Sequence, residues 1–118
     1  MKDNVIKRKS FDFALEIVEV CKVLVEEKRE YVLSKQVLRS GTAVGALVRE
    51  SEHAESKKDF IHKLAIALKE ANETEYWLEL LYRANYLPEK VYQKLIKAIN
   101  ELLRILISIL KTSKGAQR

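Results

Sequence analysis

The chain has 118 residues, 47% hydrophobic and 33% charged, with a net charge of +5, one cysteine, one proline and three glycines. That is the size of one domain; it is too apolar for disorder and too charged for a membrane protein, and so few turn-formers argue against all-β and disulfide-built folds. The charge is uneven: residues 1–9 hold Lys2, Lys7, Arg8 and Lys9 against Asp3, residues 111–118 hold Lys111, Lys114 and Arg118 against no acid, and the body between is close to neutral.

Residues 1–9 read as a basic, irregular lead-in, with no apolar stretch of the secretory kind. Ser10 is a candidate N-cap, with Asp12 and Glu16 near the positive end of the helix dipole. Phe13, Ile17, Val20, Cys21 and Leu24 then recur at steps that predict one face of a helix, ending in the charged run over 26–30. Cys21, the only cysteine, excludes an internal disulfide, and its place in the apolar stripe marks it as a small core residue.

A second helix is predicted over about 34–54, with Val37, Gly41, Val44 and Val48 as its apolar stripe and Leu47 at the edge. Gly41 and Gly45 each cost about 1 kcal/mol relative to alanine inside a helix. One turn apart, they make a flat surface for close approach of a neighbour. A phosphate loop is disfavoured, because no Gly-Lys-Ser/Thr order is present and no strand precedes. Opposite the apolar stripe, Lys35, Arg39, Thr42, Ala46, Arg49 and His53 share a face at alternating four- and three-residue steps. Spaced cations on such a face suit a phosphate backbone. Ion pairs to Glu70 and Glu73 within a subunit interface are the competing use of Arg39 and Arg49, since arginine favours bidentate pairing.

The third helix opens with a capping-box-like Ser56-Lys57-Lys58-Asp59 and runs to about residue 84. Phe60, Leu64, Ala67, Ala71, Thr74, Leu78 and Leu81 form its core stripe, while Ile66, Trp77 and Leu80 lie on another face. Asn85-Tyr86-Leu87-Pro88 is a break, with Pro88 suited to the first position of a fourth helix reaching about residue 112, and Gly115 lies just beyond. Four segments of similar length joined by short links predict an all-α, antiparallel up-down four-helix bundle, one domain over 1–118 with irregular basic ends at 1–9 and 113–118. In residues 102–110 only Arg104 and Ser108 are polar, too short a run for a bilayer. It is apolar nearly all round, which predicts a homo-oligomer contact through Ile66, Glu70, Glu73, Trp77, Leu80, Leu103 and Ile107.

Catalytic constellations are absent from this reading. Glu50-x-x-His53 and Asp59-x-x-His62 have the spacing of di-iron bundles. They flank one turn at the end of the bundle, Asp59 is placed to cap, and no glutamate falls in another apolar stripe. No metal or cofactor is therefore expected, and the two histidines have no serine or cysteine placed to use them. Tyr76, Trp77, Tyr82, Tyr86 and Tyr92 gather near the last turn as packing groups.

The segment Ser34-Lys35-Gln36-Val37-Leu38-Arg39-Ser40-Gly41-Thr42-Ala43-Val44-Gly45-Ala46, followed by Val48-Arg49-Glu50, resembles the signature of the four-helix-bundle proteins encoded in intervening sequences of bacterial 23S rRNA genes, the so-called S23 ribosomal protein family. Residues 59–63 and 67–78 resemble that family's third helix, and the likeness covers roughly residues 11–110. Leu47 departs from an asparagine usual there, and Ser51 from a smaller residue. The resemblance implies a ring-like homopentamer, similar to the accessory variability protein of diversity-generating retroelements, which binds nucleic acid. The expectation is thus a non-enzymatic, cytoplasmic homo-oligomer, with no membrane or small-molecule partner. It would bind RNA or DNA, or a nucleoprotein partner, through Lys7, Arg8, Lys9, Lys35, Arg39, Arg49, Lys111 and Lys114, the alternative being a purely structural protein–protein scaffold.

Overall fold

A computed structural model describes residues 4–115. Lys2, Asp3 and Arg118 of the basic ends lie outside the described residues. Four helices follow in order: α1 Val5–Glu26, α2 Leu33–Ser51, α3 Lys57–Arg83 and α4 Glu89–Gly115. Each packs antiparallel on its neighbour in sequence, and α4 closes against α1, leaving α1 and α3, like α2 and α4, across the diagonal. The result is an antiparallel four-helix bundle, as its pattern predicts, 49 Å long and little more than 20 Å across.

Helix α1 starts five residues before its expected N-cap. Asn4 is the cap, its side-chain oxygen accepting from Lys7 N at 3.2 Å. Ile6, seven residues ahead of Phe13, is in phase with the core and buried, so residues 5–9 are helical and not an irregular lead-in. Ser10 is instead buried inside the helix, its hydroxyl donating to Lys7 O at 3.2 Å, the local bond that lets a serine sit mid-helix. Helix α4 likewise runs through 113–115, one of whose residues, Ser113, is buried.

The turn between α1 and α2 is built by a residue that reads in sequence as one more surface charge. Arg29 takes a left-handed conformation (φ 54°), and Glu30 N bonds back to Leu24 O at 2.9 Å. Glu30 is thereby carried to the start of α2, where no side chain of the cap residue Val32 serves. Its carboxylate accepts from Val32 N (3.2 Å), Leu33 N (3.0 Å) and Ser34 N (2.7 Å), while Ser34 Oγ donates to Glu30 O (2.8 Å). An anion here satisfies three orphan N–H groups and complements the helix dipole.

The core holds the expected stripes, with Phe13, Ile17 and Leu24 of α1, Val37, Val44 and Val48 of α2, Leu64, Leu78 and Leu81 of α3, and Leu95, Ile99, Leu102 and Leu106 of α4. Phe60 and Val20 lie half-buried at its edge. The two helix-interior glycines make the close approach possible. A Cβ on Gly45 would stand 3.3 Å from Ser10 O, and one on Gly41 would stand 3.0 Å from Ile17 Cγ1. Between α2 and α3 the fully buried hydroxyls of Ser40 and Thr74 share a 2.9 Å hydrogen bond. Thr74→Val should cost about 1 kcal/mol in urea denaturation, because the Ser40 hydroxyl oxygen loses its donor in the interior; an unchanged midpoint would show that Ser40 finds another partner.

Candidate nucleic-acid interface

Antiparallel topology decides where the basic segments meet. The start of α1, the α2–α3 turn and the end of α4 lie toward one end of the bundle; Lys7 pairs with Glu52 of the turn (3.1 Å), and Lys9 pairs with Glu101 halfway along α4 (3.1 Å). Lys7, Arg8 and Lys9 therefore share an end with Lys111 and Lys114, both exposed. The Lys7 ammonium and the Asn4 amide both donate to Glu52, and the contact with Lys7, first of all, holds that exposed carboxyl below its ordinary range.

The cations of the α2 stripe turn to different neighbours. Lys35 is exposed at the far end of the helix from this cluster. Arg39 leans toward α3, where its guanidinium donates to Glu70 (3.1 Å) and Glu73. Glu73 also accepts from Trp77 Nε1 at 2.8 Å. Arg39 is thus engaged within its own chain, with its side chain half exposed, and Glu70 and Glu73 meet it without help from a second copy. Arg49 leans the other way, toward α1. Its guanidinium lies 5.4 Å from the centroid of the Phe11 ring, and no carboxylate pairs with it among the described residues. His53 follows one turn on, exposed, at the mouth of a groove of about 510 Å³ between α1 and α2.

The apolar surface is distributed differently from the expected interface. Ile66, Trp77, Leu80 and Leu103 are half-buried, and of that set only Ile107 is a largely exposed hydrophobe. Trp77 packs edge-on against Tyr76, and Tyr82 stacks on Tyr92 with ring centroids 4.2 Å apart. Other exposed hydrophobes on the outer faces of the helices include Phe11 (49% exposed), Leu15 (53%) and Val23 on α1, Leu38 on α2 and Tyr76 on α3, with Tyr31 and Val32 in the α1–α2 turn. The signal of Phe11 and Leu15 is present in the sequence, since Phe11, Leu15 and Val18 follow helical spacing, but the stronger stripe Phe13, Ile17 and Val20, two residues on, masks it.

The acids of the two x-x-His segments have structural partners. Glu50 pairs with Lys63 (3.3 Å), and Asp59 accepts from Glu55 N (3.1 Å) while Ser56 Oγ accepts from Asp59 N (3.0 Å). No group of three or more potential metal ligands gathers among the described residues. Burial, then the nearby Glu30 charge, pushes the Cys21 thiol up to about 11, and its S–H is directed at Ser34 O (3.5 Å). A thiol held protonated is a poor nucleophile. No helix among the described residues is long and apolar enough to cross a membrane.

A family model described as 23S rRNA-intervening sequence protein matches residues 2–108. The crystal structure of a protein with unknown function from the S23 ribosomal protein family of Bacteroides thetaiotaomicron VPI-5482 is similar, with 55% sequence identity and a TM-score of 0.89, covering 90% of this chain and 98% of that one. Among curated proteins, none matches.

Proposed function

The chain belongs to the 23S rRNA-intervening sequence protein family, and from that premise we propose that it is a non-enzymatic, cytoplasmic homo-oligomer, pentameric as the resemblance implies, that binds RNA through its basic surface. The observation that carries this reading is that Lys7, Arg8 and Lys9 at the start of α1 and the exposed Lys111 and Lys114 near the end of α4 point to the same end of the antiparallel bundle. A charge that is small per chain becomes a focused field when several copies present the same end. Homo-oligomerisation is supported by half-exposed apolar side chains on three helices, Leu15 of α1, Leu38 of α2 and Ile107 of α4. The buried, protonated Cys21 and the partnered acids leave no nucleophile–base set among the described residues, which supports a binding protein over an enzyme.

The test is titration of the full chain with a structured RNA at about 50 mM and about 200 mM salt. Affinity should fall steeply with salt, and Lys111→Glu with Lys114→Glu should weaken it at both. No binding at low salt, or affinity indifferent to salt, overturns the RNA reading. Analytical ultracentrifugation at micromolar concentration should give an oligomer; a monomer overturns that part. The scaffold reading without nucleic acid is favoured by the same apolar surface, and a stable oligomer that ignores RNA would establish it.

A further inference from the structure

We infer that the groove between α1 and α2 seats an unpaired nucleotide of single-stranded RNA, its base stacked against the Phe11–Arg49 pair. The inference rests on the RNA-binding reading above and gives it a specific site. Half the Phe11 side chain is open to solvent, and the Arg49 guanidinium is held beside its ring. Arg49 differs from Arg39, Lys7, Lys9 and Lys63, each of which faces a carboxylate of this chain. Its charge is left for an anion from outside.

The groove beside this pair has a floor of Ala14, Thr42, Gly45 and Ala46, side chains too short to fill it, with Lys7, Glu50 and His53 also on its lining. A smaller groove of about 320 Å³, lined by Asn4, Lys7, Arg8 and Asp12, is walled by the same Phe11 and Arg49. The aromatic–guanidinium pair therefore stands between a largely apolar recess and a polar one in which Lys7, Arg8 and Arg49 outnumber Asp12. A nucleotide has matching parts: a flat, apolar base face and a phosphate joined to it. Aromatic rings and guanidinium planes are the surfaces on which unstacked bases are held. A duplex hides its base faces in its own stack, so the site discriminates in favour of single strands.

Full-length protein is titrated with an unstructured RNA carrying 2-aminopurine and with a matched duplex. Phe11→Ala should lower single-strand affinity roughly 5- to 100-fold, leave duplex affinity and the salt slope unchanged, and abolish the quenching of 2-aminopurine on binding. Phe11→Trp should restore both. Arg49→Gln should reduce the salt slope by about one. Phe11 is half exposed, so these variants keep the fold, which circular dichroism checks. Equal affinity for both RNAs, unmoved by Phe11→Ala, overturns the groove site and leaves the general RNA reading standing. Absence of RNA binding at low salt overturns both. If Phe11→Ala changes the sedimentation coefficient but not RNA affinity, the face is a contact between copies, and the inference fails.

Discussion

Replacing Glu30 with alanine should destabilise the protein by about 2–3 kcal/mol, more than any other single surface charge. Three backbone N–H groups at the start of α2 lose an ionised acceptor at once, and bonds to charged groups contribute about 1.5–3 kcal/mol net. Water can replace part of the loss, since Val32 and Leu33 are not fully buried, which keeps the figure from scaling with the number of bonds. Glu30→Gln should fall between, retaining an acceptor oxygen without the charge. Burial pushes the Glu30 carboxyl up, but the N–H groups of Leu33, Ser34 and Val32, together with the Ser34 hydroxyl, outweigh it and leave the carboxyl below its ordinary value of 4.5. A carboxyl lowered in the folded state contributes stability that is complete above the unfolded value and lost as pH falls through the folded one. The gap between wild type and Glu30→Gln in urea denaturation should therefore be flat from neutral pH to about 4.5 and shrink below it. A gap undiminished at pH 3 would show that the charge is not its source.

The second large effect is steric. Gly41→Val should cost about 2–3 kcal/mol, the upper range for overpacking a well-filled core. The new Cβ would stand 3.0 Å from Ile17 Cγ1 and 3.1 Å from Ile17 Cγ2. Ile17 has no exposed surface and so nowhere to retreat. On an open helix, Gly→Ala would gain up to about 1 kcal/mol in propensity. Against Ile17 that gain is offset by the contact, so Gly41→Ala alone should be neutral or destabilising. Ile17→Ala removes both Cγ atoms and itself costs about 2–5 kcal/mol. In that background Gly41→Ala should turn stabilising, because only Ile17 Cβ at 3.5 Å remains. A double-mutant cycle by chemical denaturation measures the sign change; equal effects of Gly41→Ala in both backgrounds would rule out the Ile17 contact as its origin.

The helices were legible because each carries a long run of one period. The core positions of α3, from Leu64 to Leu81, could be named from spacing alone, and the Ser56/Asp59 cap from its motif. The start of α1 was misplaced because Ser10 and Asn4 are both good caps, and only packing decides between them. Gly45 on α2 sits over Ser10, which places the serine inside the bundle. Glu30 was unreadable for a related reason: a glutamate in a run of charges becomes a cap only when Arg29 turns the chain left-handed beneath it.

The candidate site divides in the same way. Which cations exist, and that they concentrate near the chain ends, is a property of the sequence. So is the family, through the small-residue signature of α2 and the motif of α3. Helical spacing places Arg39 and Arg49 on one broad face, but it cannot say what stands on either side. The neighbours decide: acidic α3 draws Arg39 to Glu70 and Glu73, and Phe11 of α1 takes Arg49. Charge and hydropathy patterns are local and survive in one dimension. Pairing depends on which helices become neighbours, and that is set only when four apolar faces close on one another in an antiparallel bundle. The same closure brings Lys9 of the first helix to Glu101 of the last and joins two distant basic segments into one end.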